Sequence, residues 1–416
     1  MHNKIILFNL NTYVGGGETL LIRYAEYLDN MNIDYAILCA HEDSWIESSA
    51  LSQGLKIIKW PVKSDSLIYN KSLVLFARKQ LENEFNTSNT VKLFTFCLRD
   101  YVNAVLLFRE SALNIELFHG VYHPQDYEYL SSLSLNKSFY HKYFKTIIYK
   151  LFINQSILFM NMHGAAENLG HEIRNTDVIL SPIPITLNEN LNELKTIKLE
   201  GKIICISRFA AFKIGAVIAF LRFAKHRKDA RCTLVGNGSF EWLVRFLVKL
   251  WSIKNISIHN NIRPDDLRDL VEENNIGYAQ GTSILEIAKY GLPVIIAPYS
   301  RLKDIFNSKF STYGIFGFVQ NHFEFGDLLY FKGAPRVSLE SAFDQIIFDY
   351  EKYRRGNLNS RKRFEAKAII KKITHDISSG SIPLKDALEI TIKPPLIKQI
   401  IYNIKSLYIK IKLALR

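Results

Sequence analysis

Short, continuous apolar runs alternate with segments of helical periodicity along the first half of the chain. The runs that predict strands are residues 4–10, 33–39, 55–60, 91–97 and 115–119. Apolar residues at helical spacing mark residues 18–28 and 101–108 between them. Continuous apolar strands separated by helices are typical of strands buried on both faces, which predicts a parallel sheet in an α/β fold.

The same alternation restarts in the second half. Strands are predicted at residues 203–207, 232–235, 256–259, 276–279 and 294–297, and helices at 217–224, 242–250, 264–272 and 283–289. Pro182, Pro184 and the polar residues 188–198 between the halves suit a linker. We therefore predict a first domain at 1–185, a second at 198–375 and C-terminal helices at 376–416, which could pack back on the first domain.

Composition places the chain among globular proteins and gives it a strong positive charge. It has 48% apolar and 22% charged residues over 416 positions, with a formal net charge of +13. That charge favours an anionic partner, which could be nucleic acid, an anionic membrane or a phosphorylated substrate. The four cysteines form no CxxC pair, so zinc-finger and disulfide-framework classes are disfavoured.

Targeting signals are weak. The first apolar run stops at Asn9, too early for a secretory signal, and the stretch at 146–160 is interrupted by Lys150, Asn154 and Gln155. We expect a cytoplasmic protein at the inner face of the cell membrane.

Residues 277–296 carry the most informative candidate site. A strand ends, a Gly turn follows, and a helix is predicted to start at Thr282 or Ser283. Backbone N–H groups of Gly281, Thr282 and Ser283 at that helix start could hold a diphosphate, and Glu286 could bind ribose hydroxyls. An alternative is a capping box, in which Glu286 only satisfies a free backbone N–H.

Two cations follow the first strand of the second half. Arg208 and Lys213 lie five residues apart on a strand-to-helix loop. There they could neutralise the charge that develops on a leaving nucleotide, which would make them catalytic. The alternative is a pair of solvated surface cations.

Two glycine-rich turns also follow strands. Gly236, Asn237 and Gly238 could let a nucleotide approach the backbone, although a plain tight turn is the alternative. Near the N-terminus, Gly15, Gly16, Gly17 and Glu18 could border a cleft for sugar and acceptor. The latter turn lacks the dinucleotide and P-loop patterns, so NAD and ATP sites are not supported.

His119 closes a predicted strand. A histidine there could contact the donor sugar or handle the acceptor proton, and it is our candidate catalytic histidine.

Together these motifs resemble the GT-B retaining glycosyltransferases, specifically glycosyltransferase family 4 (group 1) of bacterial surface-polysaccharide enzymes. The matching elements are the Gly-Gly-x-Glu turn, the Arg and Lys five apart, the Gly-x-Gly turn and the run from Ala288 to Val294. The resemblance covers residues 4–300. It implies two Rossmann-like domains facing across a cleft, a donor site mostly on the second domain, and an acceptor site on the first.

One position departs from that pattern. The first Glu of the family's Glu-x7-Glu element falls on Tyr278, which cannot supply a carboxylate to the donor sugar but can still hydrogen-bond. The resemblance implies a UDP-, GDP- or similar nucleotide sugar as donor, retention of configuration, and no metal or other cofactor.

We therefore expect a hexosyltransferase-type glycosyltransferase acting on a glycan or lipid-linked acceptor in surface polysaccharide or lipopolysaccharide biosynthesis. The alternative is a catalytically inactive sugar-nucleotide-binding subunit of a glycosyltransferase complex. Nucleic-acid binding is disfavoured because the basic residues match no RRM, KH or helix-turn-helix pattern.

Two basic amphipathic segments bear on the membrane. Residues 137–150 mix lysines with aromatic residues and predict peripheral contact with an anionic membrane. Residues 395–416 have a similar pattern, but for these we favour packing on the protein.

Overall fold

The computed structural model describes residues 4–12, 16–40, 44–62, 71–85, 90–121, 137–160, 162–169, 177–187, 199–211, 213–260, 262, 264–298, 312, 314–319 and 337–387. The chain forms two compact units. The first comprises Met1–Pro184 together with Lys367–Arg416, and the second is Ile185–Ala366.

The first unit opens with alternating strands and helices. Its strands are β1 (Lys4–Phe8), β2 (Tyr35–Cys39), β3 (Ile57–Lys59), β4 (Val91–Thr95), β5 (Ile115–Val121), β6 (Ile157–Phe159) and β7 (Ile179–Leu180). Its helices are α1 (Gly16–Asn30), α2 (Trp45–Ser52), α3 (Lys71–Phe85), α4 (Leu98–Phe108), α5 (Lys137–Ile153) and α6 (Met162–Leu169). The central strands β1, β2 and β4 are almost wholly buried, as expected for a sheet covered on both faces.

The strands of the first unit lie in the order β3-β2-β1-β4-β5-β6-β7, and all of these neighbours are parallel. Strands β2 and β3 therefore follow β1 on one side of it, whereas β4 and the strands after it lie on the other side. This reversal is the topological switch point of a doubly wound fold.

The second unit repeats the design with five strands. They are β8 (Lys202–Ile206), β9 (Arg231–Val235), β10 (Ile256–His259), β11 (Ile276–Ala279) and β12 (Val294–Ile296). Its helices are α7 (Ile214–His226), α8 (Glu241–Leu250), α9 (Pro264–Glu272), α10 (Thr282–Ala288), α11 (Leu339–Phe348) and α12 (Tyr350–Arg361), followed by a 3-10 turn at Lys362–Phe364. The order is β10-β9-β8-β11-β12, all parallel, so the switch point lies between β8 and β11.

The chain then returns to the first unit through α13 (Ala366–Ser379), β13 (Ile382–Pro383) and a 3-10 turn at Leu384–Asp386. Helix α13 buries Ile369, Ile370, Ile373 and Ile377, which recur at helical spacing on one face. Thr374 on this helix hydrogen-bonds the hydroxyl of Tyr24 in α1, at 3.2 Å. Strand β13 pairs antiparallel with β5.

A buried lysine fastens this returning segment. Lys92 in β4 donates from Nζ to Glu116 Oε2 at 2.8 Å and to Ser381 Oγ at 2.9 Å. It also donates to the carbonyls of Ile377 and Ser378, both at 3.2 Å, at the C-terminal end of α13. A cation is favoured at a helix C-terminus, where carbonyls lack intrahelical partners.

The predicted fold class, α/β with two parallel sheets, is confirmed. The boundary between the units falls after Ala366 rather than at residue 375, because the isoleucine face of α13 packs in the first unit. The predicted linker residues 188–198 and the tail residues 395–416 lie outside the described residues.

Candidate functional site

The candidate site of the second unit lies at the switch point between β8 and β11, where the order in which strands join the sheet reverses direction. Ile206 at the end of β8 is paired with Val235 of β9 on one side and with Ala279 of β11 on the other. The loops that follow these three strands therefore leave the sheet side by side, at the edge where open α/β sheets bind ligands. Those loops carry Arg208, the Gly236 turn and Gly281.

Arg208 and Lys213 occupy the loop between β8 and α7. Both side chains are half-buried, and Lys213 is the residue preceding the first turn of α7. Burial and, second to it, the nearby charge of Arg208 lower the pKa of Lys213 to about 8. The two cations therefore lie close enough to influence each other in a partly desolvated loop, unlike a pair of dispersed surface charges.

The Gly236–Gly238 turn packs closely against the loop that follows β8. A Cβ on Gly236 would lie 1.9 Å from the carbonyl oxygen of Ser207, and one on Gly238, at φ +144°, would lie 2.6 Å from that of Phe209. The N–H of Phe209 donates to the carbonyl of Asn237 at 2.8 Å. These glycines therefore allow close approach of the Ser207–Phe209 backbone, and they shape the loop that carries Arg208.

Helix α10 begins after Gly281, which precedes it with φ +63°, a conformation that favours glycine. Thr282 and Ser283 thus occupy the first turn, where N–H groups have no carbonyl within the helix to bond. The capping box is not formed, since the residue at the cap is Gly281 and not Ser283. The helix has only seven residues, so the donor groups of its first turn matter more than its dipole.

Glu286 lies one turn into α10 and is half-buried. Its Oε2 lies 2.5 Å from Lys289 Nζ, which partly neutralises the carboxylate. The carboxylate remains beside the strand ends of the switch point, where it could accept hydrogen bonds from hydroxyl groups.

Tyr278 does not fit a donor site. Its ring stacks on Phe220 of α7 within the core of the second unit, and only 1% of the residue is exposed. Desolvation raises the pKa of its hydroxyl well above the usual value. The reason is strand register: Tyr278 lies inside β11, so the side-chain alternation of the strand directs it with Ile276 into the core.

The corresponding edge of the first unit holds Glu18. Gly16 and Gly17 are the first residues of α1, and Gly15 lies outside the described residues. A Cβ on Gly17 would meet no atom within 4 Å, so there is open space beside this backbone. Glu18 is buried and accepts hydrogen bonds from the side chains of Asn9 and Asn11.

Sequence reasoning missed the remainder of this polar cluster. Arg99 Nη2 donates to Asn11 Oδ1 at 2.8 Å, and Asp100, fully buried, accepts from the N–H of Leu10 at 3.3 Å. Desolvation raises the pKa of Asp100 to about 6, against the opposing charge of Arg99. The available signal was positional: Asn9 directly follows β1, and Arg99 and Asp100 lie in the first turn of the helix that follows β4, the neighbour of β1 at the switch point of this sheet.

His119 does not fit a catalytic role. It is fully buried in β5, its Nδ1 lies 2.7 Å from Thr95 Oγ1, and its ring packs edge-on against Tyr101 at 5.7 Å. Desolvation lowers the pKa of His119 to about 3. A neutral ring without exposed surface cannot exchange a proton with an acceptor in solution, because it faces the core and not the strand-end edge.

Neither a cluster of metal ligands nor a membrane-spanning helix occurs within the described ranges. The described residues contain no group of three or more His, Cys, Asp or Glu side chains that could hold a metal ion. Within those ranges, every helix is too short or too polar to cross a lipid bilayer.

No protein-family model and no curated protein sequence matches the chain, but many solved structures match its fold. HepE of Anabaena, in complex with UDP-glucose, is 14% identical with a TM-score of 0.61, over 90% of this chain and 99% of its own. WaaB, a lipopolysaccharide outer core galactosyltransferase, is 12% identical with a TM-score of 0.58, over 91% and 99%. Both of these solved structures have the GT-B architecture of two α/β units.

The chain has the GT-B fold. The same fold is shared with UDP-GlcNAc 2-epimerase of Neisseria meningitidis, bound to UDP-GlcNAc, at 13% identity and a TM-score of 0.53 over 90% of this chain and 99% of that one. The predicted likeness to GT-B proteins is therefore confirmed at the level of fold. What the GT-B chain does must be argued from its own residues.

Proposed function

We propose that this GT-B protein is a glycosyltransferase that moves a sugar from a nucleotide-diphosphate donor to a glycan or lipid-linked acceptor. The transfer proceeds with retention of configuration and without a metal or other cofactor, in surface polysaccharide or lipopolysaccharide biosynthesis. The observation that carries the proposal is the pair Arg208 and Lys213 at the switch point of the second unit, close enough for one charge to lower the pKa of the other. Structural relatives in complex with UDP-glucose and UDP-GlcNAc support a nucleotide sugar as ligand.

The chemistry needs positive charge at this place. When the glycosidic bond to the donor breaks, negative charge grows on the leaving diphosphate, and preorganised cations stabilise it most in a partly desolvated site. Arg208 offers planar, bidentate donors, whereas Lys213 offers a point charge. The first-turn N–H groups of Thr282 and Ser283 add neutral donors, and Glu286 is placed to accept from ribose hydroxyls.

The acceptor would bind to the first unit at the carboxyl ends of β1 and β4. Glu18, Asn11 and Arg99 form a hydrogen-bonded group there, next to the open space beside Gly17. Carboxylate, amide and guanidinium groups together can both accept from and donate to sugar hydroxyls.

The decisive experiment measures release of nucleoside diphosphate by the full-length protein from a panel of nucleotide sugars, with and without lipid-linked acceptors. Arg208→Ala and Lys213→Ala should each lower kcat by about a hundredfold. Lys228→Ala is the matched control, because Lys228 is an exposed cation of the same unit that precedes β9 and so lies at the opposite edge of the sheet. Wild-type turnover in either folded site variant would refute the diphosphate assignment.

A second candidate is a subunit that binds the sugar nucleotide without turnover. The specific observation in its favour is Tyr278, which stands at the position of the family's first Glu and is confined to the core. Tight donor binding with no release from any donor would establish this candidate. Conversion of the donor sugar without an acceptor would instead indicate epimerase chemistry.

We also place the enzyme at the inner face of the cell membrane, in contact with anionic lipid. The described part of α5 exposes Lys145, Tyr149 and Ile153 at successive helical turns, a mixture of charge and apolar surface that suits a lipid headgroup layer. Flotation with anionic vesicles should decrease when Lys137, Lys142, Lys145 and Lys150 are neutralised together. Unchanged flotation would exclude α5 as a lipid contact.

A further inference from the structure

Helix α8 of the second unit is apolar on two opposite faces. Leu243, Val244, Leu247 and Val248 pack into the core of the unit. On the opposite side Trp242, Phe246 and Leu250 follow one another at intervals of four residues and are 66%, 54% and 60% exposed. A helix needs only one apolar face to fold onto a sheet, so the outer one, here named the α8 stripe, calls for a second partner.

Two basic residues of the same helix lie beside the α8 stripe. Arg245 and Lys249 are exposed and lie between its three apolar residues at helical spacing. The single acidic residue of the helix, Glu241, is paired with Arg245 at 2.9 Å.

We propose that the α8 stripe docks the protein on an anionic lipid surface. Trp and Phe insert among lipid headgroups and upper acyl chains, while the long side chains of Arg245 and Lys249 reach the negatively charged headgroups. A second copy of this chain suits the surface less well, since Glu241 offsets only one of the two cations on each helix, so two stripes in contact would bring two net positive charges together.

The inference rests on the proposed membrane location but not on the catalytic assignment. Arg208 and Lys213 lie at the carboxyl end of β8, whereas the stripe lies on the outer face of a helix that covers the sheet. Lipid binding through α8 and turnover of the donor can therefore be measured separately.

The first test is flotation of the full-length protein with phosphatidylcholine vesicles that contain or lack phosphatidylglycerol. The double variant Trp242→Gln/Phe246→Gln should reduce partition onto the anionic vesicles at least about tenfold. Phe348→Gln is the matched control, because Phe348 is 92% exposed in the same unit but lies outside the stripe, and it should leave partition unchanged. Both variants should retain wild-type thermal unfolding, since the altered side chains are exposed.

The charged residues are tested separately. Arg245→Gln and Lys249→Gln should each weaken partition onto the anionic vesicles about fivefold, and should leave partition onto pure phosphatidylcholine vesicles unchanged. The loss should be smaller at high salt, because salt screens the attraction between the cations and the lipid.

Fluorescence locates the contact. Of the four tryptophans, Trp242 is the one in the stripe, so brominated lipids should quench the wild-type emission. Trp242→Phe keeps an apolar side chain and should retain most of the partition while losing most of the quenching.

Three outcomes would overturn the inference. The first is that Trp242→Gln/Phe246→Gln partitions onto vesicles like the wild type, whereas neutralisation of the α5 lysines abolishes binding. This result would refute docking through α8 but would keep the proposed membrane location. The second is that the wild-type protein does not float with anionic vesicles, which would refute both the membrane location and docking through the α8 stripe. The third is a protein dimer that Trp242→Gln/Phe246→Gln dissociates, which would make a second copy the occupant.

Discussion

The rings of Tyr278 and Phe220 are stacked within the core of the second unit, with centroids 5.8 Å apart and planes 10° from parallel. Tyr278 therefore joins β11 to α7, the helix that begins next to Lys213. Among the described residues its hydroxyl has no hydrogen-bond partner. Tyr278 thus packs within the core, against the helix that follows the loop of Arg208 and Lys213.

Tyr278→Phe should therefore retain donor turnover. It should also raise the free energy of unfolding by about 1 kcal/mol, because a buried hydroxyl without a partner is removed while the stacked ring is kept. Thermal unfolding and steady-state kinetics check both effects. Tyr278→Glu, which restores the family residue, should unfold the second unit instead of increasing activity, since it buries a carboxylate. A folded, more active Tyr278→Glu enzyme would contradict the core assignment.

The lowered pKa of Lys213 predicts a pH limit on donor capture. Only the protonated amine attracts the diphosphate, so kcat/KM for the donor should fall above about pH 8, by up to about tenfold per pH unit. Bound diphosphate favours the protonated form, so the limit on kcat should lie at higher pH. Lys213→Arg keeps a charge that does not titrate in this range and should remove the limit. An unchanged profile in that variant would assign the titration to another group.

Gly236→Ala should destabilise the second unit by about 3 kcal/mol, because the new methyl group overlaps the backbone of Ser207. Any folded fraction should bind the donor poorly, since the Arg208 loop must shift. Gly17→Ala is a matched control for folding: its methyl group meets no atom within 4 Å and alanine suits a helix, so its thermal midpoint should stay equal or rise. A normal thermal midpoint for Gly236→Ala would show that the loop can move aside.

His119 should make the protein sensitive to acid. Its pKa is about 3 in the folded state against an ordinary 6.5, so between these values the unfolded chain binds the extra proton. Stability then falls as pH decreases below about 6.5, by up to about 1.4 kcal/mol per pH unit. His119→Gln should flatten that dependence in urea unfolding between about pH 5 and 7 and leave turnover at neutral pH nearly intact. Loss of turnover with unchanged stability would restore a catalytic role.

The periodicity of the sequence predicted much of the fold. Strands β10 and β11 have the predicted bounds, because polar residues flank each of them, Asn255 and Asn260 for β10 and Asn275 and Gln280 for β11. Strand β7, only two residues long, exists through its pairing with β6 and has no local signal. The positions of Arg208 and Lys213 were predictable because both follow a buried strand. The partner of Gly236 was not, since it depends on the register between β8 and β9, which joins segments almost thirty residues apart.

The contact between Lys92 and the C-terminal end of α13 has a consequence for biosynthesis. The second unit is one continuous stretch and can fold as soon as the ribosome has released it. The first unit begins earlier but cannot be completed then, because three of the four groups that accept from Lys92, the carbonyls of Ile377 and Ser378 and the hydroxyl of Ser381, are translated nearly three hundred residues later. The nascent first unit therefore stays incompletely packed, and a candidate for chaperones, until α13 reaches it.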